Sequence, residues 1–153
     1  MDAQTAIAGL NKILSLEYSA MLQHLQHSYL VQGKERAYLR GFFRGMAEGS
    51  FKGHTKQVGE KIVALGGLPT VEPAPIRQSA DVTEMLQQAL EAERAAQEAQ
   101  KELLAKVQDD VPLRVMLEEM IRDEQEEIEQ LEMLLAQKKP VISAKVVRLT
   151  KSA

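Results

Sequence analysis

Cysteine is absent, which removes disulfides and thiolate metal sites from consideration. Tryptophan is absent as well, and aromatic residues make up only 4% of the chain. No apolar run is long enough to span a membrane, and no charged segment leading into an apolar run resembles a signal peptide. An excess of positive charge is also missing. The formal net charge of −3 argues against a nucleic-acid footprint over the whole surface. The expectation is a soluble, cytoplasmic protein that binds neither membrane nor nucleic acid. What remains is dominated by Ala, Leu, Glu, Gln, Lys and Met, a helical composition. At 153 residues it is one domain, large enough for a single core.

Proline is concentrated in residues 68–80 as Pro69, Pro73 and Pro75, so this stretch cannot be helical. Around it the apolar periodicity predicts four helices. The first covers about residues 2–31, with Ile7, Leu10, Leu14, Met21, Leu25 and Val31 on one side. A break at Gln32-Gly33-Lys34 lets the second, about residues 35–65, pack antiparallel to it. The inward stripe of that second helix reads Ala47, Phe51, His54, Val58, Ile62 and Leu65, and Gly66-Gly67 caps its end. An Asp81-x-x-Glu84 capping box opens the third, which runs to about residue 108. Asp109 or Asp110 caps the fourth, with Pro112 in its first turn. The second helix is roughly 45 Å long, and an extended proline-rich link reaches roughly 45–50 Å. The link can therefore travel the whole bundle and leave the second and third helices parallel. The expected fold is all-α: a four-helix bundle over residues 1–139, built from two antiparallel hairpins and a long crossover, with a short basic tail at 140–153.

Carboxylates on the inward faces carry the functional argument. In the fourth helix Leu117, Met120, Ile121, Ile128, Leu131 and Leu135 form one stripe, and Glu124 and Glu127 lie inside it. Burying an unpaired charge costs several kcal/mol. A bound cation answers that cost, and so does a basic residue from another helix. The other inward stripes contribute Glu17, His54 and Glu93, each near mid-helix, and the third also carries Gln97 and Gln100. Glu93 is preferred to Glu91 because it shares its face with Val82, Leu86, Leu90, Leu104 and Val107. Glu17, His54, Glu93, Glu124 and Glu127 together form a donor set for Fe, Mn or Zn, and a glutamate-rich pair of sites suits two irons.

These segments resemble bacterioferritin and the wider ferritin-like family. The resemblance rests on LNKILSLEYSAMLQH in the first helix, KGHTKQVGEKIVALGGLPT at the end of the second, DVTEMLQQALEAE opening the third, and LEEMIRDEQEEIEQLE in the fourth. The family pattern of Glu, Glu-x-x-His, Glu and Glu-x-x-His carries over as Glu17, Phe51-x-x-His54, Glu93 and Glu124-x-x-Glu127. Phe51 thus stands where a bridging carboxylate belongs, and Glu127 replaces a histidine. The resemblance implies iron storage or detoxification, with oxidation of Fe(II) by oxygen or peroxide. The alternatives are a non-catalytic scaffold or companion subunit that has lost the dinuclear centre, and an oxidase or oxygenase of a small organic substrate. The family often holds a tyrosine where His24 stands, which implies a relay of electrons or protons, or a transient ion site; His27 reads as ordinary packing. Family members of the bacterioferritin type bind haem at a dimer groove through a methionine, and Lys52 at that place does not support it.

Gly41, Gly45, Gly49 and Gly53 recur every fourth residue of the second helix. Each weakens a helix by about 1 kcal/mol relative to alanine. By helical phase they lie opposite His54 and Val58, so a second copy of the chain is expected to pack there and form a homo-oligomer. Dimer, 12-mer and 24-mer remain open.

Overall fold

The computed structural model describes residues 2–136, and the basic tail at 140–153 lies outside the described residues. Every regular element among them is helical: α1 (Ala3–Leu30), α2 (Arg36–Gly49), a π-helical turn (Ser50–His54), α3 (Thr55–Ala64), α4 (Val82–Leu104) and α5 (Val111–Leu135). α2, the π turn and α3 form one unbroken rod, so the expected four-helix bundle is present. Side-chain caps set three of the helix starts. Asp2 accepts from the Gln4 and Thr5 amides, Asp81 from the Glu84 amide and Asp110 from the Leu113 amide.

The turn after α1 uses Gly33 at φ +83°, and Arg36 donates back to the Val31 carbonyl at 2.6 Å. The rod ends at Gly66, φ +82°, where the Gly67 amide donates to the Ile62 carbonyl. A Cβ at Gly67 would come within 2.7 Å of Ile7, so the closure of this end onto α1 needs glycine.

The crossover is held along α1 by a ladder of polar side chains roughly one turn apart. Asn11 brackets it, donating to the Leu68 carbonyl and accepting from the Thr70 amide. Ser15 then donates to the Glu72 carbonyl, Ser19 to the Pro75 carbonyl, and Gln23 accepts from the Arg77 amide. Residue numbers rise together on both strands of this ladder, so the link runs parallel to α1. It delivers α4 to the end of the bundle where α1 finishes, leaving α4 parallel to the rod. The prolines keep the link extended, and α1 supplies the hydrogen bonds that an extended chain cannot make with itself.

The core is divided. One apolar cluster holds Leu10, Ile13, Leu14, Val58, Ile62, Leu103, Leu113 and Leu117; the other holds Val31, Leu39, Phe43, Met85, Leu90, Ile128 and Leu131. Between them lies a polar layer containing Glu17, His24, Ser50, Glu93, Gln100 and Glu124, all buried.

Candidate metal centre

Each rod of the bundle sends a side chain into this layer. Glu17 comes from α1, His54 from the π turn, Glu93 from α4, and Glu124 with Glu127 from α5. Their ligand atoms gather into two overlapping groups, Glu17–His54–Glu124 and Glu93–Glu124–Glu127, with the atoms of each group within 4.8 Å of one another. Glu124 belongs to both. Three residues apart on α5, Glu124 and Glu127 face the same way, which is why one helix serves both groups. Glu91, the alternative on α4, is exposed and pairs with Arg77 at 2.6 Å.

Among the described residues no lysine or arginine pairs with Glu17, Glu93, Glu124 or Glu127; the basic side chains pair with acids outside the polar layer instead. Imidazoles take their place: His54 Nδ1 lies 3.2 Å from Glu17 Oε1 and 3.1 Å from Glu124 Oε1. Asp123, on the outer side, lies 3.6 Å from His54 Nε2. Glu17 also accepts from the Ser50 hydroxyl at 3.1 Å. Gln100 Nε2 donates to Glu17 Oε1 at 3.3 Å and to Glu124 Oε1 at 3.0 Å. His24 Nε2 contacts Glu93 Oε1, and the Glu124 Oε2 atom is buried with no partner.

Without a metal, protons must relieve the crowding. Burial pushes Glu17 and Glu127 up to about 7, and the Glu124 charge adds to the effect on both. Burial and the surrounding carboxylates raise Glu93 well above the usual range. Burial alone would also raise Glu124, yet hydrogen bonds with Glu93 and His54 hold it down at about 2. His54 resolves its own conflict the other way. Burial lowers it, but hydrogen bonds to the Glu124 and Glu17 carboxylates raise it to about 11. Burial lowers His24 to about 3, so it is neutral. These gathered carboxylates, one with a buried oxygen left unpaired, are a group that could hold cations. Its donor atoms are oxygens and one imidazole, which suits iron, manganese or zinc. Four ionised carboxylates match the charge of two divalent ions.

Two sequence expectations need correction. Phe51 does not stand in the centre: it is 64% exposed, beside Met21, Leu25 and Tyr29. The cause is the π turn, in which the Thr55 amide donates to the Ser50 carbonyl five residues back. One residue more per turn rotates everything before it by about a third of a turn relative to α periodicity. Ser50, four residues before His54, therefore faces Glu17 in place of Phe51. Nor does the glycine line lie opposite His54. Gly41, Gly45, Gly49 and Gly53 border a groove of about 730 Å³ between the rod and α5, whose other lining includes His54, Asp123 and Glu127. A Cβ on Gly49 would sit 3.6 Å from Glu127 Oε1, and one on Gly41, Gly45 or Gly53 would touch nothing within 4 Å.

Ser50 and Gln100 were not among the site residues expected from sequence. Gln100 had a signal, since it shares the inward stripe of α4 with Glu93 two turns away. Ser50 had only a weak one: four residues before His54, it sits at the edge of the inward stripe by α periodicity, while Phe51 falls inside it.

Comparison with known proteins agrees with this architecture. A solved structure from Bacillus anthracis str. Ames, described as ferritin-like diiron-carboxylate proteins, superimposes with a TM-score of 0.85 at 33% identity, covering 89% of this chain and 100% of that one. A protein of Synechococcus sp. (strain ATCC 27144 / PCC 6301 / SAUG 1402/1), described as nutrient stress-induced DNA-binding protein, is 36% identical over 70 residues. That match takes in 46% of this chain and spans only 39% of the relative's length. The ferritin-like domain matches residues 7–139, which takes in the bundle from the second turn of α1 onward, and the chain belongs to that family.

Proposed function

We propose that this protein takes up Fe(II) at the polar layer and oxidises it, serving iron storage or detoxification as a homo-oligomer. The observation that carries the reading is the pair of ligand groups sharing Glu124 in a layer with no lysine or arginine partner. Glu17 and His54 with Glu124 would hold one ion; Glu93 and Glu127 with Glu124 would hold the other. A pair of iron ions supplies one electron each to an oxidant, dioxygen or peroxide. The chain's own part is to bind and orient the ions and to manage protons. Ions displace the protons of Glu17, Glu93 and Glu127, and His54 must give up its proton before Nδ1 can bind a cation. His24, neutral and touching Glu93, fixes the orientation of that carboxylate.

The groove beside the glycines offers the route in. Asp123, Glu126 and Glu129 give its α5 wall a negative potential that attracts cations toward His54 and Glu127. The net charge of −3 favours a chain that does not bind nucleic acid, and the Synechococcus relative described as DNA-binding weighs against that expectation.

The test is metal analysis of protein purified without chelator, followed by aerobic addition of Fe(II). Retained iron near two ions per chain, with Fe(II) oxidised faster than in buffer, supports the reading. A chain that holds no metal after loading favours the scaffold or companion-subunit reading, in which Ser50 marks a centre lost with its bridging carboxylate.

A further inference from the structure

Gln100 is fully buried. Its Nε2 donates to Glu17 of α1 and Glu124 of α5, so a single amide from α4 ties together ligands from two other helices. The opposite orientation of the amide would set Oε1 against the same two carboxylate oxygens, which is repulsive, so the donor orientation follows from the neighbours. Oε1 is then left buried without a partner. Leaving a core acceptor unpaired is unfavourable, and the arrangement persists because both amide protons are committed to the carboxylates. The neighbouring Gln97, one turn earlier, is different: it donates to the Ile121 carbonyl and to Gln125 and accepts from Lys101, hydrogen-bonding none of the five candidate ligands.

Resting on the two-ion reading above, we infer that Gln100 is a positioning residue of the centre. It holds Glu17 and the shared Glu124 at a common point, and it keeps the set at four carboxylates instead of five. An amide has the shape of a carboxylic side chain but no charge and no titration, so its donor stays in place at every pH. Glu93 and Gln100 lie seven residues apart on α4, about 10 Å along the axis. One helix thereby supplies a ligand to one ion position and an orienting donor to the other. Ser50 and Gln100 both donate to Glu17, from the rod and from α4.

The experiment uses the full chain, anaerobic Co(II) as the probe, and three variants. Groups that orient metal ligands typically change affinity by about 10- to 100-fold when removed. Gln100→Met, of similar length and without donors, should weaken Co(II) binding by about that factor and alter the visible Co(II) spectrum. Gln97→Met should lower the melting temperature while leaving Co(II) affinity and spectrum unchanged. Gln100→Glu, which keeps the shape and adds a charge, should raise the preference for Tb(III) over Co(II) by about tenfold or more, and it decides the matter if Gln100→Met does not fold. Wild-type affinity and spectrum in Gln100→Met, or an unchanged ion preference in Gln100→Glu, would overturn the role of Gln100 alone. Wild-type protein that takes up no Co(II) removes the centre and this inference with it.

Discussion

Introducing glutamate at Ser50 and at Phe51, one residue apart, should give opposite results, because the π turn decides which of the two meets Glu17. Phe51 is 64% exposed, so about a third of its side chain is removed from water. Full burial of a phenylalanine is worth about 1.5–3 kcal/mol, which makes Phe51→Glu cost roughly 0.5–1 kcal/mol. In a chain of this size that lowers the melting temperature by roughly 1–4 °C. A core phenylalanine would instead cost about 3–5 kcal/mol. Ser50 is buried with its hydroxyl 3.1 Å from Glu17 Oε2, so Ser50→Glu sets a new carboxylate against an existing one. The metal-free variant should lose several kcal/mol, and ions at a hundred times their dissociation constant should restore about 2.7 kcal/mol. Circular-dichroism melts with and without Co(II), beside Co(II) stoichiometry, read both effects. Ser50→Glu should melt low when empty, recover on loading, and hold its ions more tightly than wild type. The reasoning is refuted if Phe51→Glu shows that pattern and Ser50→Glu is silent.

Glu124→Gln should lose more bound Co(II) than the same change at Glu17, Glu93 or Glu127, since only Glu124 serves both groups; equal losses in metal analysis would contradict a shared ligand. From pH 6.5 to 8 the metal-free fold should weaken. His54 drives this loss, because the unfolded imidazole releases its proton near 6.5 while the folded one holds it to about 11; Glu17 and Glu127, raised to about 7, lose their share between about pH 4.5 and 7, and His24, held at about 3, opposes the trend only from pH 6.5 downward. Metal affinity should rise over the same window, with proton release measurable by calorimetry in two buffers of different ionisation enthalpy; pH-independent binding would show that these carboxylates are not displaced from their protons. Gly45→Ala meets nothing within 4 Å, so it should stabilise the isolated chain by about 0.5–1 kcal/mol. If sedimentation shows that the variant also loses assembly, a second copy packs on this face; if assembly and melting both fail to change, neither the helix-propensity argument nor the interface holds.

Much of the fold is legible in the sequence because its determinants are local. Asp2, Asp81 and Asp110 cap helices within three residues of themselves. Glu93 is separable from Glu91 by phase alone, since a regular helix repeats every 3.6 residues and α4 is regular throughout. The prolines of the crossover exclude helix by their own geometry, and its length suffices to predict parallel α4. Glu17, Glu124 and Glu127 stand out because a charge on an apolar stripe demands an explanation.

The rod from α2 to α3 is where that reasoning stops. Phase arguments assume one uniform period, and a π turn breaks the period without changing composition, so Phe51 and Ser50 exchange roles. The same uniform period sets the glycine line opposite His54, whereas in the folded chain it borders a groove facing α5. Sequence by itself determined the helices, their order, the crossover and which ionisable residues face inward, because backbone preference and burial act residue by residue. Only the tertiary structure decided that Gln100 joins Glu17 to Glu124 and that Ser50 meets Glu17. Those are distances between side chains on different helices, set by packing of the whole bundle, and no single stripe contains them.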